Sequence, residues 1–580
     1  MNVNWNDPHF EGFSHQPFGR KEPRKPRKPV GSAATRTLIN LAVTVVFGLI
    51  YFYFALPALN FKAEEFYTFI FLLCLVFCIC AMITSGFTGN GAKGYFGFVK
   101  KQCKIPLWIV VGMLAVALVG AAASWVVFRA HSYQKLLTVE EGNFASEVEE
   151  ISYDQIPMLD AASASLLGNR KLGELSDMVS QFEVADDYTQ INYKGRPVRV
   201  TSLRYGDIIK WLGNRQQGLP AYLIIDMVTQ NVEVVRLDNG IKYTTAEHFS
   251  RNLYRVLRFR YPTYLFEAPA FEIDEEGNPY WVCARYSKTI GLFGGKDIIG
   301  AVLVNAVTGE STYYNVGDVP DWVDHVYTAD LIMAQYDYYG RYHNGFWNSI
   351  FGQRDVKVTT RGYNYIAIGD DVYMYTGVTS VVSDQSNVGF ILSNQRTKET
   401  KFYTVAGAEE YSAMDSAQGQ VQQMKYTATF PLLLNIGEQP TYFLALKDAA
   451  GLVKMYAMVN VGQYQIVATG STVAECERAY RVMLANNNLI ASDKTEIAAG
   501  EQTEISGVIA EIRSAVVDGN TRYFIRLEDS KLFYSISAAD DENAVILNVG
   551  DYVTVRARAG EGTILAAVSV TPGTPPRQAQ

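Results

Sequence analysis

The residues best suited to recognition chemistry lie between Gln335 and Tyr375, a stretch crowded with aromatic rings. Tyr338, Tyr339, Tyr342, Phe346 and Trp347 are interleaved there with Arg341 and His343. Flat rings beside cationic and hydrogen-bonding groups suit the stacking of sugar faces or a subunit contact. The same pattern also suits a hairpin or loop packed into a neighbouring sheet. A second candidate is the basic series Arg251, Arg255 and Arg258, spaced to share one side of a helix and to bind an anionic ligand or envelope polymer. Paired with nearby acids, it would instead be a solvated face. A third is the cluster Arg20, Lys21, Arg24, Lys25, Arg27 and Lys28, which can attract anionic lipid headgroups or simply fix topology.

Catalytic spacing is missing from the sequence. There is no HExxH, paired CxxC, GxSxG, phosphate loop or EF-hand loop. The six histidines are scattered, so neither a metal site nor a cofactor is called for. Gly291–Lys296, GLFGGK, lacks the Ser/Thr and the helix of a phosphate cradle and reads as a turn. Acids are plentiful, but their spacing marks no acid/base pair. The residues lean away from an enzyme without excluding one.

These candidates must be positioned by two very different kinds of chain. Three apolar runs, Thr37–Leu59, Phe66–Phe87 and Leu107–Phe128, are long enough to span a bilayer and contain no Asp, Glu, Lys, Arg or His. That argues against transport or proton relay. Lys93, Lys100, Lys101 and Lys104 lie between the second and third runs, so the positive-inside rule puts that loop and the basic tail in the cytoplasm. Everything after Phe128 is then extracytoplasmic. The small pairs Ala117/Ala121 and Gly120/Ser124 suit close helix contact, within one bundle or between subunits. Residues 1–128 carry a net charge of +7 and the remainder −15. An acidic external part disfavours nucleic acid.

Beyond the third run the expected fold class is a multi-domain, β-rich α+β region ending in a small barrel. Residues 1–36 form a disordered basic tail, 37–128 the anchor and 129–215 a membrane-proximal α+β region. Next come an α+β domain (216–330), an aromatic-rich hairpin domain closed by a helix (331–490), a barrel (500–570) and a disordered end (571–580). Strand–turn–strand units recur at 221–237, 300–316, 389–405 and 442–459, which suggests duplication. Capping boxes at Thr244/Glu247 and Thr472/Glu475 predict helices to about Arg260 and Leu484. The second helix would place Cys476 in the core. Cys283 and Cys476 are the soluble cysteines, and their pairing is left open.

GAVLVNAVTGES, after one helix and before further antiparallel strands, resembles a PepSY-type or cystatin-like module over about 245–316. That resemblance implies a small extracytoplasmic domain with a binding or inhibitory role. The five strand-like runs of 503–570, with Gly550–Asp551 before the fourth, resemble an OB-fold. OB-folds often bind nucleic acid or oligosaccharide; 6 basic residues against 10 acidic ones here disfavour nucleic acid. The whole layout resembles uncharacterised multi-domain membrane proteins of Gram-positive bacteria. The external part has no Asn-X-Ser/Thr sequon, in keeping with a prokaryotic source.

The expected function is a non-enzymatic, membrane-anchored binding or scaffold protein of the cell envelope, able to self-assemble. Its expected partners are the lipid bilayer, an envelope protein or polysaccharide, and further copies of itself. Two alternatives stay open: a wall hydrolase with carboxylates on separate strands, and a PepSY-type regulator or inhibitor of a membrane protease.

Overall fold

The computed structural model describes residues 31–86, 92–148, 150, 156–381, 383–491, 502–517, 520–528, 530–538, 541, 543–558 and 563–573. The basic cluster Arg20–Lys28, the linker after 491 and the last residues lie outside them. The chain divides into two units. One holds the chain up to Trp125 with Asn252–Leu265 and Ser287–Gly294; the other holds the rest.

In the first unit, helices α1 (Ala33–Ala55), α2 (Glu64–Ser85) and α3 (Ala92–Ser124) are each long and apolar enough to cross a membrane. The third runs further back than expected. Its helical turns take in the lysines that the sequence placed in a loop, and it carries Pro106 internally. Close approach of α1 and α2 depends on Gly48, where a Cβ would lie 2.9 Å from Leu73. The buried Asn40 amide and Thr84 hydroxyl, 3.0 Å apart, join the same two helices.

The second unit opens with α4 (Val126–Gln134), β1 (Val139–Gly142) and α5 (Phe144–Glu147). Along the chain one pattern then runs four times: a helix, two short strands that pair with the same long strand, and two further antiparallel strands, the helix of the second copy falling within the first unit. The first copy is α6 (Ala161–Gly173) with β2 (Phe182–Val184), β3 (Thr189–Tyr193), β4 (Arg196–Tyr205), β5 (Leu219–Asp226) and β6 (Val232–Ile241), with α7 (Ile208–Asn214) between β4 and β5. The second is α8 (Leu253–Arg260) with β7 (Leu265–Phe266), β8 (Ala270–Ile273), β9 (Pro279–Ile290), β10 (Gly294–Asn305) and β11 (Ser311–Asn315). The third is α9 (Ala329–Tyr342), followed by α10 (Gly345–Trp347), with β12 (Lys357–Thr359), β13 (Asn364–Ile368), β14 (Asp371–Ser380), β15 (Ser383–Asn394) and β16 (Thr400–Tyr403). To this sheet are added β1, parallel to β16, and β17 (Gly407–Ala408). The fourth is α11 (Glu410–Gln420) with β18 (Thr427–Ala428), β19 (Leu432–Ile436), β20 (Gln439–Lys447), β21 (Val453–Asn460) and β22 (Val467–Gly470), closed by α12 (Val473–Asn486).

This arrangement moves one expected boundary. Residue 216 falls inside the first sheet, because β5 pairs with β4. The stretch 331–490, closed by α12 as expected, holds the third and fourth sheets. The recurring hairpins are the last two strands of copies one to three, whereas 442–459 is the middle pair of copy four.

Three of the copies share one loop chemistry. Oδ1 of Asp226, Asn305 and Asn394 each accepts two backbone N–H groups: from Val228 and Thr229, from Val307 and Thr308, and from Arg396 and Thr397, at 2.7–3.0 Å. The threonine hydroxyl then accepts from the residue two further on. The intervening Gln230, Gly309 and Lys398 have φ of 61°, 75° and 67°. An Asx turn followed by one left-handed residue makes each loop, which is why the letters Asp/Asn-x-x-Thr recur at this place.

The last five strands, β23 (Gln502–Val517), β24 (Asn520–Leu527), β25 (Phe533–Ser537), β26 (Tyr552–Arg558) and β27 (Ile564–Pro572), pair in the order β23-β24-β25-β27-β26, and β26 returns to β23. β25 and β27 run parallel, and a short helix, α13 (Asn543–Ile546), lies between β25 and β26 in the chain. Ile509, Ile525, Tyr534, Val553, Val555 and Val570 fill the interior.

Candidate functional site

Within the first unit, the ends of all three apolar helices are held by non-membrane segments. At the end of α1, Leu56 takes the left-handed conformation that stops a helix and leaves carbonyls unpaired. Arg258 Nε donates to Leu56 O (2.9 Å), and Arg255 Nε to Tyr53 O (3.1 Å) with its guanidinium 4.3 Å from the Tyr53 ring centre. Cations are favourable at a helix C-terminus. Leu59 N and Asn60 Nδ2 donate to the carbonyls of Pro262 and Thr263, both at 2.8 Å. Lys62, just before α2, donates to Ser287 Oγ and Lys288 O. At the end of α3, Ser124 Oγ accepts from Leu292 N and Phe293 N, while the Leu292 side chain covers Gly120. The pair Gly120/Ser124 thus receives the GLFGG turn rather than another helix.

The basic series is divided by this arrangement. The capping box at Thr244/Glu247 does not start a helix, because the Glu247 carboxylate is taken from the other side: Tyr205 Oη and Trp211 Nε1 each donate to it at 2.7 Å. Phe249–Arg251 form a single 3-10 turn, and α8 begins later, with Asn252 as its cap. Arg255 and Arg258 bind carbonyls of the α1 terminus. Arg251 lies in the other unit, where Nη1 donates to Arg215 O.

Around Arg251 lies a recess of about 300 Å³ lined by Trp211, Arg215, Glu247, His248, Phe249 and Arg251 among others. The Arg215 guanidinium sits 5.7 Å from the Trp211 ring centre, and His248 meets the same indole edge-on at 4.8 Å. Phe249 has φ 53° yet is 60% exposed. A bulky residue held in the left-handed region is strained, and such strain concentrates at binding sites. Two cations and an aromatic wall over a buried carboxylate suit an anionic group carried on a ring or apolar body. Sequence reading named Arg251 but missed Trp211, Arg215 and Glu247. The signal for the helix holding Trp211 was present: Asp207 accepts from the N–H groups of Ile209 and Lys210.

The first part of the aromatic stretch, to Gly352, is helical rather than a hairpin or loop, whereas its second part, with Tyr365, Tyr373 and Tyr375, lies on the β13–β14 hairpin. Thr328 caps α9, and the chain continues through α10 into one wide turn, Asn348–Gly352. Rings follow each other along one side: Tyr133 with Tyr338, Tyr338 with Tyr342, Tyr342 with Phe346 and Trp347 with Phe351, at centroid distances of 4.8–6.3 Å. Tyr339 turns towards Tyr336 and His343. Arg341 pairs with Asp337 (3.1 Å).

A buried polar centre, not foreseen, joins the first three copies. Glu272 on β8 accepts from Asp324 N and His325 N, both 2.9 Å. Asp324 accepts from Asn192 N (2.7 Å), His325 Nε2 meets Gln190 O (3.0 Å), and Arg199 donates to Leu159 O, Tyr188 O and Gln190 Oε1. Burial pushes Glu272 up to about 7, raises Asp324 well above the usual carboxylate range, and holds His325 down at about 4. Closed over and bonded mainly to backbone groups, this centre fixes the junction of three sheets rather than offering a cleft. Phe271 and Ile273, also buried, flank Glu272, so strand alternation gave no warning that both faces are covered.

Among the described residues no group of three or more His, Cys, Asp or Glu side chains is placed to hold a metal. Cys283 and Cys476 are separate, buried thiols. No protein-family model matches the chain, and no curated protein matches it.

Proposed function

We propose that this chain is a membrane-anchored binding or scaffold protein of a bacterial cell envelope, with residues 129–580 outside the cell and no turnover of its own. The observation that supports the reading is the recess lined by Trp211, Arg215 and Arg251 together with the buried Glu247. Its ligand is an anionic group of an envelope polymer or protein. Orientation rests on the lysines at the start of α3, the end of that helix opposite Ser124 and its 287–294 seat, and on the basic residues that precede α1 in the sequence.

The helix followed by an antiparallel sheet, present four times, supports the PepSY or cystatin likeness. Five strands returning on themselves, with the third beside the fifth, support the OB likeness of the last domain. The hydrolase alternative needs two carboxylates facing a cleft. Glu272 and Asp324 come from separate elements, yet they are 0% and 1% exposed.

The test is calorimetric titration of the full chain in nanodiscs with a wall polyanion such as polyglycerol phosphate, beside a neutral glycan. Saturable binding of the polyanion, lost in the Arg215→Gln/Arg251→Gln double variant, supports the reading. Binding that is absent, or unchanged by the double substitution, overturns it.

A further inference from the structure

The wide turn after α10 exposes the wrong residues for a surface in water. Trp347 is 64% exposed, Phe351 78% and Ile350 48%. Hydrogen bonds within the turn hold its shape. Asn344 Nδ2 and Asn348 Nδ2 both donate to Arg354 O (3.2 and 2.9 Å), Gln353 N donates to Asn348 O (2.6 Å), and Ser349 Oγ to Phe346 O (2.7 Å). The turn is therefore a built projection with an apolar tip. Trp347 and Phe351 lie stacked, 14° from parallel, and present one flat aromatic face. Contiguous exposed apolar surface of this kind marks an interaction site.

The position of the tip in the chain indicates what it meets. Both α9 and α10 pack on α4. α4 starts at Val126, two residues after α3 ends at Ser124, and carries Phe128 at 70% exposure. The tip is thus held on α4, the segment that follows directly in the chain after a helix long and apolar enough to cross a membrane. Tryptophan and phenylalanine at that level favour the interface between headgroups and acyl chains.

We propose that the turn 345–352 is a second, peripheral membrane contact, with Trp347, Ile350 and Phe351 entering the interfacial layer of the leaflet in which α3 ends. The occupant of this face is lipid. The contact adds to the three spans by restricting how the β-rich part can tilt about its tether, which the proposed binding role does not require.

The full chain, one copy per nanodisc, tests this with phospholipid brominated high on the acyl chain. Subtracting the emission of Trp347→Phe from that of the native chain isolates Trp347. The expected difference spectrum is blue-shifted in plain lipid and quenched several-fold in brominated lipid. A reporter moved to Ile350→Trp in the Trp347→Phe background should behave alike, which guards against an effect of one substitution on folding. A red-shifted difference spectrum that is equal in the two lipids overturns the proposal. So does shielding that arises only in discs holding two copies, which would assign the face to a second copy of the chain.

Discussion

The hydroxyl of Ser124, in the last turn of α3, accepts hydrogen bonds from the backbone of Leu292 and of Phe293 at 2.9 Å each. It also donates to Gly120 O at 2.6 Å, so one side chain closes the end of an apolar helix of spanning length and receives the tip of the β9–β10 hairpin. Gly291 makes this fit possible: its φ is 60°, and a Cβ there would lie 2.4 Å from Ser124 Oγ and 2.8 Å from Ala123 C. Gly291→Ala should therefore destabilise the seat by about 2–4 kcal/mol, and Ser124→Ala by about 1–3 kcal/mol through two unpaired N–H groups. Hydrogen exchange of 287–294 in nanodiscs should accelerate in both variants; unchanged protection would contradict the seat.

The shared Asx loops allow a comparison within one chain. Asn305→Ala removes the acceptor of two N–H groups and should cost about 1–2 kcal/mol, as should Asn394→Ala. The left-handed position should be unequal among copies. Gln230 occupies it with a side chain, whereas a Cβ at Gly309 would sit 2.4 Å from the Tyr243 ring. In denaturant titrations Gly309→Gln should be strongly destabilising and Gln230→Gly nearly neutral.

At the buried centre, pH acts with two signs. Glu272 titrates at about 7 when folded against an ordinary 4.5, so between these values the folded state keeps a proton that the unfolded chain has released. Stability contributed there falls as pH rises, and Asp324, also raised, adds to the fall. His325 opposes it. At about 4 folded against 6.5 unfolded, it leaves the unfolded chain with the extra proton, so its part of the stability grows with pH across that window. Arg199 and Asp371 act on the same groups, on His325 and Asp324 respectively. Asp324→Asn should thus raise Tm above pH 7 and flatten the decline. His325→Gln should remove the rising limb near pH 5. Thermal unfolding between pH 4 and 8 reads both.

Glu247 should be intolerant of even a near-isosteric change. Its two oxygens serve two different donors, Tyr205 and Trp211. In Glu247→Gln only one oxygen remains, and a buried donor is left unpaired at a cost of about 1–3 kcal/mol. Trp211 emission should shift, and polyanion binding at the recess should weaken with it.

Much of this architecture was legible in the sequence because its signals are local. Apolar length gave the three helices, Lys194–Gly195 gave a tight turn between β3 and β4, and Thr472 with Glu475 capped α12, where Glu475 N donates to Thr472 Oγ1. Letters common to 226–230 and 305–309 pointed to duplication, although the third loop, 394–398, was recognised only by layout. The failures were tertiary. At Thr244/Glu247 the capping pattern was intact, but Tyr205 and Trp211, about 40 residues upstream, claimed the carboxylate. The aromatic stretch lacks a clean apolar stripe because one side of α9 stacks rings on α4 while Tyr336 enters the core of the third sheet. Glu272, Asp324 and His325 gather from β8 and the loop before α9, a convergence that spacing alone does not encode.

The central claim, that the β-rich part lies outside the cell on three spans, is tested most directly by labelling intact cells with a membrane-impermeant maleimide. Gly419→Cys, on the exposed side of α11 with open space around it, and Lys100→Cys, on the first turns of α3, serve as reporters. Gly419→Cys should label in intact cells and Lys100→Cys only after lysis. Labelling of Lys100→Cys in intact cells, with Gly419→Cys protected until lysis, would contradict the account.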